Sequence, residues 1–360
     1  MNTTRILMTA DAVGGVWRYA MDLGRELHDR GTQVTLAVMG PPPSDSQRDE
    51  AHQAGLDVVD RPYRLEWMED PWADVELAGR WLLGLARDLS PSIVHLNGYA
   101  HAALPWPAPV TVVAHSCVGT WWQAVHRQPA PPTVNRYREA VMAGFGAADA
   151  VIAPTKAMAS ALSDEYGMRA STIQIIPNGS RAASAEPVGA AGKASYVLAA
   201  GRMWDDAKNV KALCAIADSI DWPILVAGDV EGYNTANCEV SGVHLLGRLS
   251  AAAIRHRYRR ASIYALPARY EPFGLSVLEA AAAGCALVLG DIPSLRENWC
   301  GAAAFVAPDD HAALASTLRE LIADRNARID LGRRAAARSQ MFSATRMADG
   351  YTQVYRSLLT

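Results

Sequence analysis

The stretch SIYALPARYEPFGLSVLEAAAAGCALVLGD, residues 262–291, decides how the chain is read. It opens on a short apolar run rich in β-formers (SIYALPA), turns through ARYEPFG, passes into an Ala-rich segment of helical character and ends on a second apolar run (ALVLGD). Strand, helix and strand in thirty residues read as part of an open parallel sheet with helices on its faces. Both runs are apolar almost throughout, as in strands covered on both faces. Within this unit Glu271 and Glu279 stand eight positions apart beside Pro, Phe, Gly and apolar residues. A carboxylate in such a setting is costly unless something binds it.

The same alternation extends in both directions. RILMTA, QVTLAVM, LDVVD, PSIVHLNG, PVTVVAHS, ADAVIAPT and TIQIIPNG read as strands of one half, with a helix beginning near Gly15 after the first. YVLAAGR, PILVAGD, VHLLGR, SIYALPA, ALVLGD and AAFVAP read as strands of the other. Between the halves, GSRAASAEPVGAAGKAS (179–195) is small, polar and weakly patterned, like a linker. The expected fold is α/β: two Rossmann-like, doubly wound domains facing a central cleft. Met347, Tyr351, Val354 and Leu358 give the C-terminal segment helical spacing.

Length and composition agree. The 360 residues exceed one ordinary core, and half are apolar. A formal net charge of −3 argues against a nucleic-acid partner. No apolar run reaches the ~18–20 residues of a membrane span, and the N-terminus does not read as a secretion signal. The five cysteines (117, 214, 238, 285 and 300) form no CxxC, and the nine histidines form no HxxxH pair. Reduced thiols in a cytoplasmic setting and no metal site are the expectation.

In open parallel sheets ligands lie beyond the carboxyl ends of strands, and four groups of residues fall there. Gly14 and Gly15, in ADAVGGVWR, join the first strand to the first helix. They either let backbone approach an anion or simply make a tight turn. In AAGRMWDDAKNV, Arg202 follows a strand and Lys208 begins the next helical segment, a pairing suited to a diphosphate; solvated surface cations are the ordinary alternative. Gly274 lies where a helix starts, which favours phosphate oxygens. Glu271 just before it can serve either a ligand or a local ion pair, and Glu279 inside it can accept from sugar hydroxyls. His95, Asn97 and Gly98 (IVHLNG) and His115 (VVAHS) end two strands, as structural or as site residues. Trp121 and Trp122, read as part of a Gly-containing loop, offer stacking surface to an acceptor ring.

Together GGVWR, IIPNGS, GRMWDDAKNV, LLGRLS and YEPFGLSVLEAAAAGCALVLGDIPSLREN resemble the family 4 glycosyltransferases, with the GT-B fold, over nearly the whole chain. The segment from Glu271 to Glu279 is the most specific part of the likeness. The resemblance implies transfer of a hexose-type sugar, with retained anomeric configuration, from a UDP- or GDP-sugar to a saccharide or small-molecule acceptor. It implies no cofactor and no essential metal. By the same resemblance Arg202 and Lys208 hold the diphosphate, Glu279 the ribose, and Glu271 the transferred sugar. Phe273, Gly274 and Leu275 offer backbone groups, Gly15 approaches the diphosphate, His115 lies near the reacting sugar, and Arg248 with Gly247 lies at the nucleobase. The acceptor set is His95, Asn97, Trp121 and Trp122. The resemblance also assigns 1–180 plus 342–360 to an N-terminal acceptor domain, 181–194 to a linker and 195–341 to a C-terminal donor domain.

The chain departs from the family pattern at Trp17, in GDVEGYNTANCEVSG and in WCGAAAF after SLREN, which leaves the base unread. The N-terminal half offers no obvious carboxylate following the relevant strands, so same-face substitution is favoured over a covalent intermediate. A nucleotide-sugar epimerase and a non-catalytic nucleotide-sugar-binding protein are the alternatives. A dehydrogenase would want a full GxGxxG. The acceptor and the oligomeric state are not encoded in any motif.

Overall fold

The computed structural model describes residues 4–184, 192–202, 204–229 and 241–360. Two compact units divide the chain: Met1–Gln123, Arg127–Gly179 and Ala344–Thr360 form one, Ala124–His126 and Ser180–Ser343 the other.

The first unit is built on seven strands: β1 (Arg5–Asp11), β2 (Gln33–Met39), β3 (Asp57–Arg61), β4 (Ile93–Leu96), β5 (Val110–Val113), β6 (Ala150–Ala153) and β7 (Ile173–Ile175). They pair in the order β3-β2-β1-β4-β5-β6-β7, every pairing parallel. The order reverses between β1 and β4, so the loops after these two strands diverge to opposite sides and leave a crevice. The C-terminal helix Ala344–Leu359 belongs to this unit and buries Met347, Tyr351, Val354 and Tyr355. Its Tyr351 ring meets Tyr19 of the helix Gly15–His28 at 5.9 Å.

The second unit carries six strands: β8 (Ala194–Ala200), β9 (Ile224–Ala227), β10 (His244–Gly247), β11 (Ala261–Leu266), β12 (Ala286–Gly290) and β13 (Ala304–Val306). Their order is β10-β9-β8-β11-β12-β13, again all parallel, with its reversal between β8 and β11. Alternate residues of these strands feed two separate cores. Tyr196, Leu198, Tyr264, Leu266, Leu287 and Leu289 pack on one face, Val197, Ala199, Ile263, Ala265, Ala286 and Val288 on the other. A strand with apolar partners on both sides has no polar face to show, which is why the sequence runs lack alternation.

The expected linker is only partly loop. Ala194 already pairs within β8, Arg181–Ser184 form a 3₁₀ turn, and Ala183 is buried; 185–191 lie outside the described residues. Most of GDVEGYNTANCEVSG (228–242) also lies outside them. Small residues and low apolar content concealed the ordered ends of the expected linker.

Candidate active site

In the second unit, the loops after β8 and β11 meet at the order reversal. Lys208 does not begin a helix as expected. It sits in a turn two residues before the helix Val210–Ile216, because Asn209 takes a left-handed conformation (φ 54°). Asn209 is fixed there by its amide, which donates to the carbonyls of Pro267 (2.8 Å) and Pro308 (2.7 Å). The loop thus turns Lys208 toward β11. Its Nζ reaches Glu271 Oε2 at 2.6 Å, with both side chains at least four-fifths buried (16% and 13% exposed).

Glu271 is doubly held. Its Oε1 accepts from the Gly274 backbone N–H at 3.0 Å, and its own carbonyl accepts from Ser294 Oγ. It therefore ties down the turn just before the helix Leu275–Ala282 and neutralises Lys208, the local ion pair that the sequence left open as an alternative. Gly274 must be glycine on two counts. Its φ is +89°, and a Cβ would lie 3.0 Å from Val277 Cγ2. Glu279, the fifth residue of this helix, is half-buried. Phe273 is buried and its carbonyl already accepts from Asn298 Nδ2 (3.2 Å), whereas Leu275 is half-buried at the helix start.

Arg202, 36% exposed, pairs with Asp205 (2.9 Å) and lies over the Trp204 ring at 5.0 Å. Asp205 is itself almost fully buried and accepts from the Ala207 N–H at 3.0 Å. Lys208 lies close by, since a Cβ on Gly201 would touch its Cγ at 3.4 Å. Asp205 and Asn209 were not among the expected site residues. Their signal, an Asp and an Asn flanking the lysine in DDAKN, is an Asx pattern that reads as loop chemistry once the lysine is known to matter. Arg248 is exposed just past β10, an edge strand separated from β8 by β9.

In the first unit, Gly14 and Gly15 are exposed where β1 passes into the helix Gly15–His28. Gly14 takes φ 78°, nothing lies within 4 Å of where its Cβ would be, and no side chain caps the helix start. Trp17, the departure noted above, is a core residue whose indole N–H donates to Glu50 at 3.3 Å.

Asn97 is the hub of the strand-end polar group. Its N–H donates to Thr9 Oγ1 (2.9 Å) and its Nδ2 to Thr9 O (2.6 Å), so the orientation of the amide is fixed. Its Oδ1 then accepts from His115 Nε2 at 2.8 Å and His95 Nε2 at 3.2 Å. With Nε2 protonated, His95 Nδ1 accepts from the Tyr355 hydroxyl at 2.6 Å. Burial pushes both histidines down to about 3, so both rings are neutral. His95 is 0% exposed, which corrects its placement among acceptor contacts: it supports Asn97 and the C-terminal helix from inside. His115 and Asn97 are half-buried at the strand ends.

Trp121 and Trp122 do not lie in a loop. They stand on the helix Val118–His126, half-buried, with their rings at 6.0 Å in an edge-to-face contact. A carboxylate that sequence reasoning missed lies nearby in the fold. Glu66 accepts from the N–H groups of Tyr99 (3.0 Å) and Ala100 (2.7 Å), just past β4, and burial raises its pKa. It belongs to the segment after β3, where several acids stand together and none is marked out. Among the described residues no helix is long and apolar enough to cross a membrane.

The model of "Glycosyltransferase Family 4" matches residues 13–181, and that of "Glycosyl transferases group 1" matches residues 194–324. A D-inositol 3-phosphate glycosyltransferase from Xylanimonas cellulosilytica is 28% identical, over 96% of this chain and 93% of its own. A glycogen synthase of Mycobacterium tuberculosis is 37% identical over 31% of this chain and 27% of its own. Among solved structures, a sucrose-phosphate synthase from Thermosynechococcus elongatus superposes with a TM-score of 0.82 at 18% identity, covering 99% of each chain. Anabaena Alr3699/HepE in complex with UDP-glucose does so with a TM-score of 0.78 at 16% identity, over 98% of this chain and all of that one.

Proposed function

We propose, from the premise that this chain belongs to the family 4 glycosyltransferases of GT-B fold, that it moves a hexose from a nucleoside diphosphate donor to a saccharide or small-molecule hydroxyl with retention of configuration. The observation that carries the reading is the Lys208–Glu271 pair, held at the carboxyl ends of β8 and β11 beside the start of the helix Leu275–Ala282. A cation kept waiting on a carboxylate is ready to be handed to an anion. UDP is the donor base we favour over GDP, since UDP and UDP-glucose are what the Anabaena protein was crystallised with.

When the donor diphosphate binds, Lys208 transfers its charge from Glu271 to the phosphate oxygens. Arg202, oriented by Asp205 and Trp204, adds a second cation. As the bond from sugar to phosphate breaks, these groups and the start of the helix Leu275–Ala282 stabilise the charge growing on the leaving diphosphate. Glu271, released from Lys208, accepts from hydroxyls of the transferred sugar, and Glu279 accepts from the ribose. The acceptor attacks from the face that the diphosphate leaves and gives its proton to the departing phosphate. His115, neutral and a weak base near pH 7, has its Nε2–H bound by Asn97, so it is a fixed neutral polar group at its strand end and takes no part in proton transfer. Two cations and helix N–H groups do the work a divalent metal does elsewhere, and the reaction is set in the cytoplasm.

A thermal-shift panel of UDP, GDP and ADP with their glucose conjugates tests this reading, because binding to the folded state raises Tm by mass action. One base raising Tm, followed by release of that diphosphate only with a new glycosidic product, is the expected result. No shift with any of them overturns the reading. Isomerised sugar in place of a glycoside would show an epimerase, and tight binding without turnover a binding protein.

A further inference from the structure

Arg269 stands two residues before Glu271 and ties together three loops, those that follow β8, β11 and β13. Its backbone N–H donates to the Ala207 carbonyl at 2.8 Å, on the residue just before Lys208. Its Nη1 donates to the Asp206 carbonyl at 3.3 Å. Its Nε and Nη2 both reach Asp309 Oδ1, at 3.1 and 2.8 Å, on the loop between β13 and the helix His311–Ala323. One guanidinium thus holds two loops while its own backbone belongs to the third. A rigid, planar fork of donors suits arginine to binding in two directions at once.

The same three loops are joined a second time from inside. Asn209, 2% exposed, donates to the carbonyls of Pro267, two residues before Arg269, and of Pro308, next to Asp309. That inner staple is neutral and buried. The outer one is charged and open, with Arg269 25% and Asp309 50% exposed. An ion pair so open to water adds little to stability, so its effect is to be sought in alignment. Lys208 and Glu271 are 63 residues apart and meet across two irregular loops. Downstream, Ser294 and Asn298 hold the carbonyls of Glu271 and Phe273. Upstream, the hold comes from Arg269. Its guanidinium is engaged by Asp206 and Asp309, which suits it to placing the pair rather than to gripping phosphate itself.

We propose that Arg269 is a positioning residue that sets the Lys208 ammonium against the Glu271 carboxylate by fastening the loops after β8 and β13 to the loop after β11. The inference rests on the donor reading above. A misplacement of about 1 Å in such a constellation can lower a rate by about 10²-fold.

The test is a double-mutant cycle on the rate of diphosphate release from UDP-glucose, or from GDP- or ADP-glucose where one of these proves to be the donor. Arg269→Ala should lower kcat by about 10- to 100-fold, with the Tm of the ligand-free protein nearly unchanged. In the Glu271→Ala background the same substitution should cost less than about twofold, because the pair it aligns is already broken. Arg269→Lys keeps the charge without the fork and should lose nearly as much as alanine; it also completes the cycle if alanine fails to fold. Equal factors in both backgrounds, the mark of general loosening, overturn the proposal. So does a full rate in Arg269→Lys, the mark of a bare countercharge for Asp309. A wild type that releases diphosphate from none of the three donors overturns the donor reading, and this proposal with it.

Discussion

At the scale of single residues, Glu271 is the group whose two states matter most. It neutralises Lys208 and accepts from the Gly274 N–H. Glu271→Ala should lower the transfer rate by about 10²–10³, the usual cost of one preorganised transition-state contact. UDP affinity should hold or improve, because Lys208 is then free for phosphate. Arg202→Ala should instead weaken UDP by roughly tenfold, as a lost charged hydrogen bond does. Initial rates and calorimetry on both variants check the division of labour, and equal affinity losses would remove it. The histidines make a separate prediction. Their folded values of about 3 lie below the unfolded value of ~6.5. Their stabilisation is therefore complete above pH ~6.5 and is lost as pH falls toward 3. Urea unfolding at pH 7 and pH 5 should show a smaller loss in His115→Asn than in wild type, by about 1–2 kcal/mol. Identical slopes would mean His115 is not held neutral.

At the scale of elements, the glycines after strands sort into two kinds. Gly228 follows β9 with φ +142°, and a Cβ there would overlap the Gly201 carbonyl oxygen at 1.8 Å. Gly14 also has positive φ, but a Cβ there meets open space. Gly14→Ala should cost about 1 kcal/mol, the backbone penalty alone. Gly228→Ala must displace the loop that carries Arg202 and should cost several kcal/mol, in the range of severe overpacking. Chemical denaturation measures both, and similar losses would contradict the geometry. Strand and helix identities were legible because β11 and β12 are short, almost continuously apolar, β-branched or Leu-rich runs separated by an Ala-rich segment and bounded by Pro and Gly. The last turn before Val210 was not, since the left-handed Asn209 is held by the carbonyls of Pro267 and Pro308, 58 and 99 residues away.

At the scale of the whole molecule, the two sheets repeat one order, and each reverses between its first and fourth strands. A nucleotide bound at the second reversal should slow amide exchange over residues 204–209 and 270–275 and leave the helix His311–Ala323 unchanged. Exchange mass spectrometry with and without UDP tests this, and uniform slowing across the chain would place the ligand elsewhere. By itself the sequence determined two parallel α/β folds and the strand ends where the polar residues gather. That information is local: period, apolar run length and glycine placement act within a few residues. Only the tertiary structure decided what each polar group touches. It set Lys208 on Glu271 and the Glu66 carboxylate on the Tyr99 and Ala100 amides, and it enclosed His95 among tyrosines from both ends of the chain. The physical reason is that a hydrogen bond depends on ångström placement of groups tens to hundreds of residues apart, which packing fixes and no local pattern encodes.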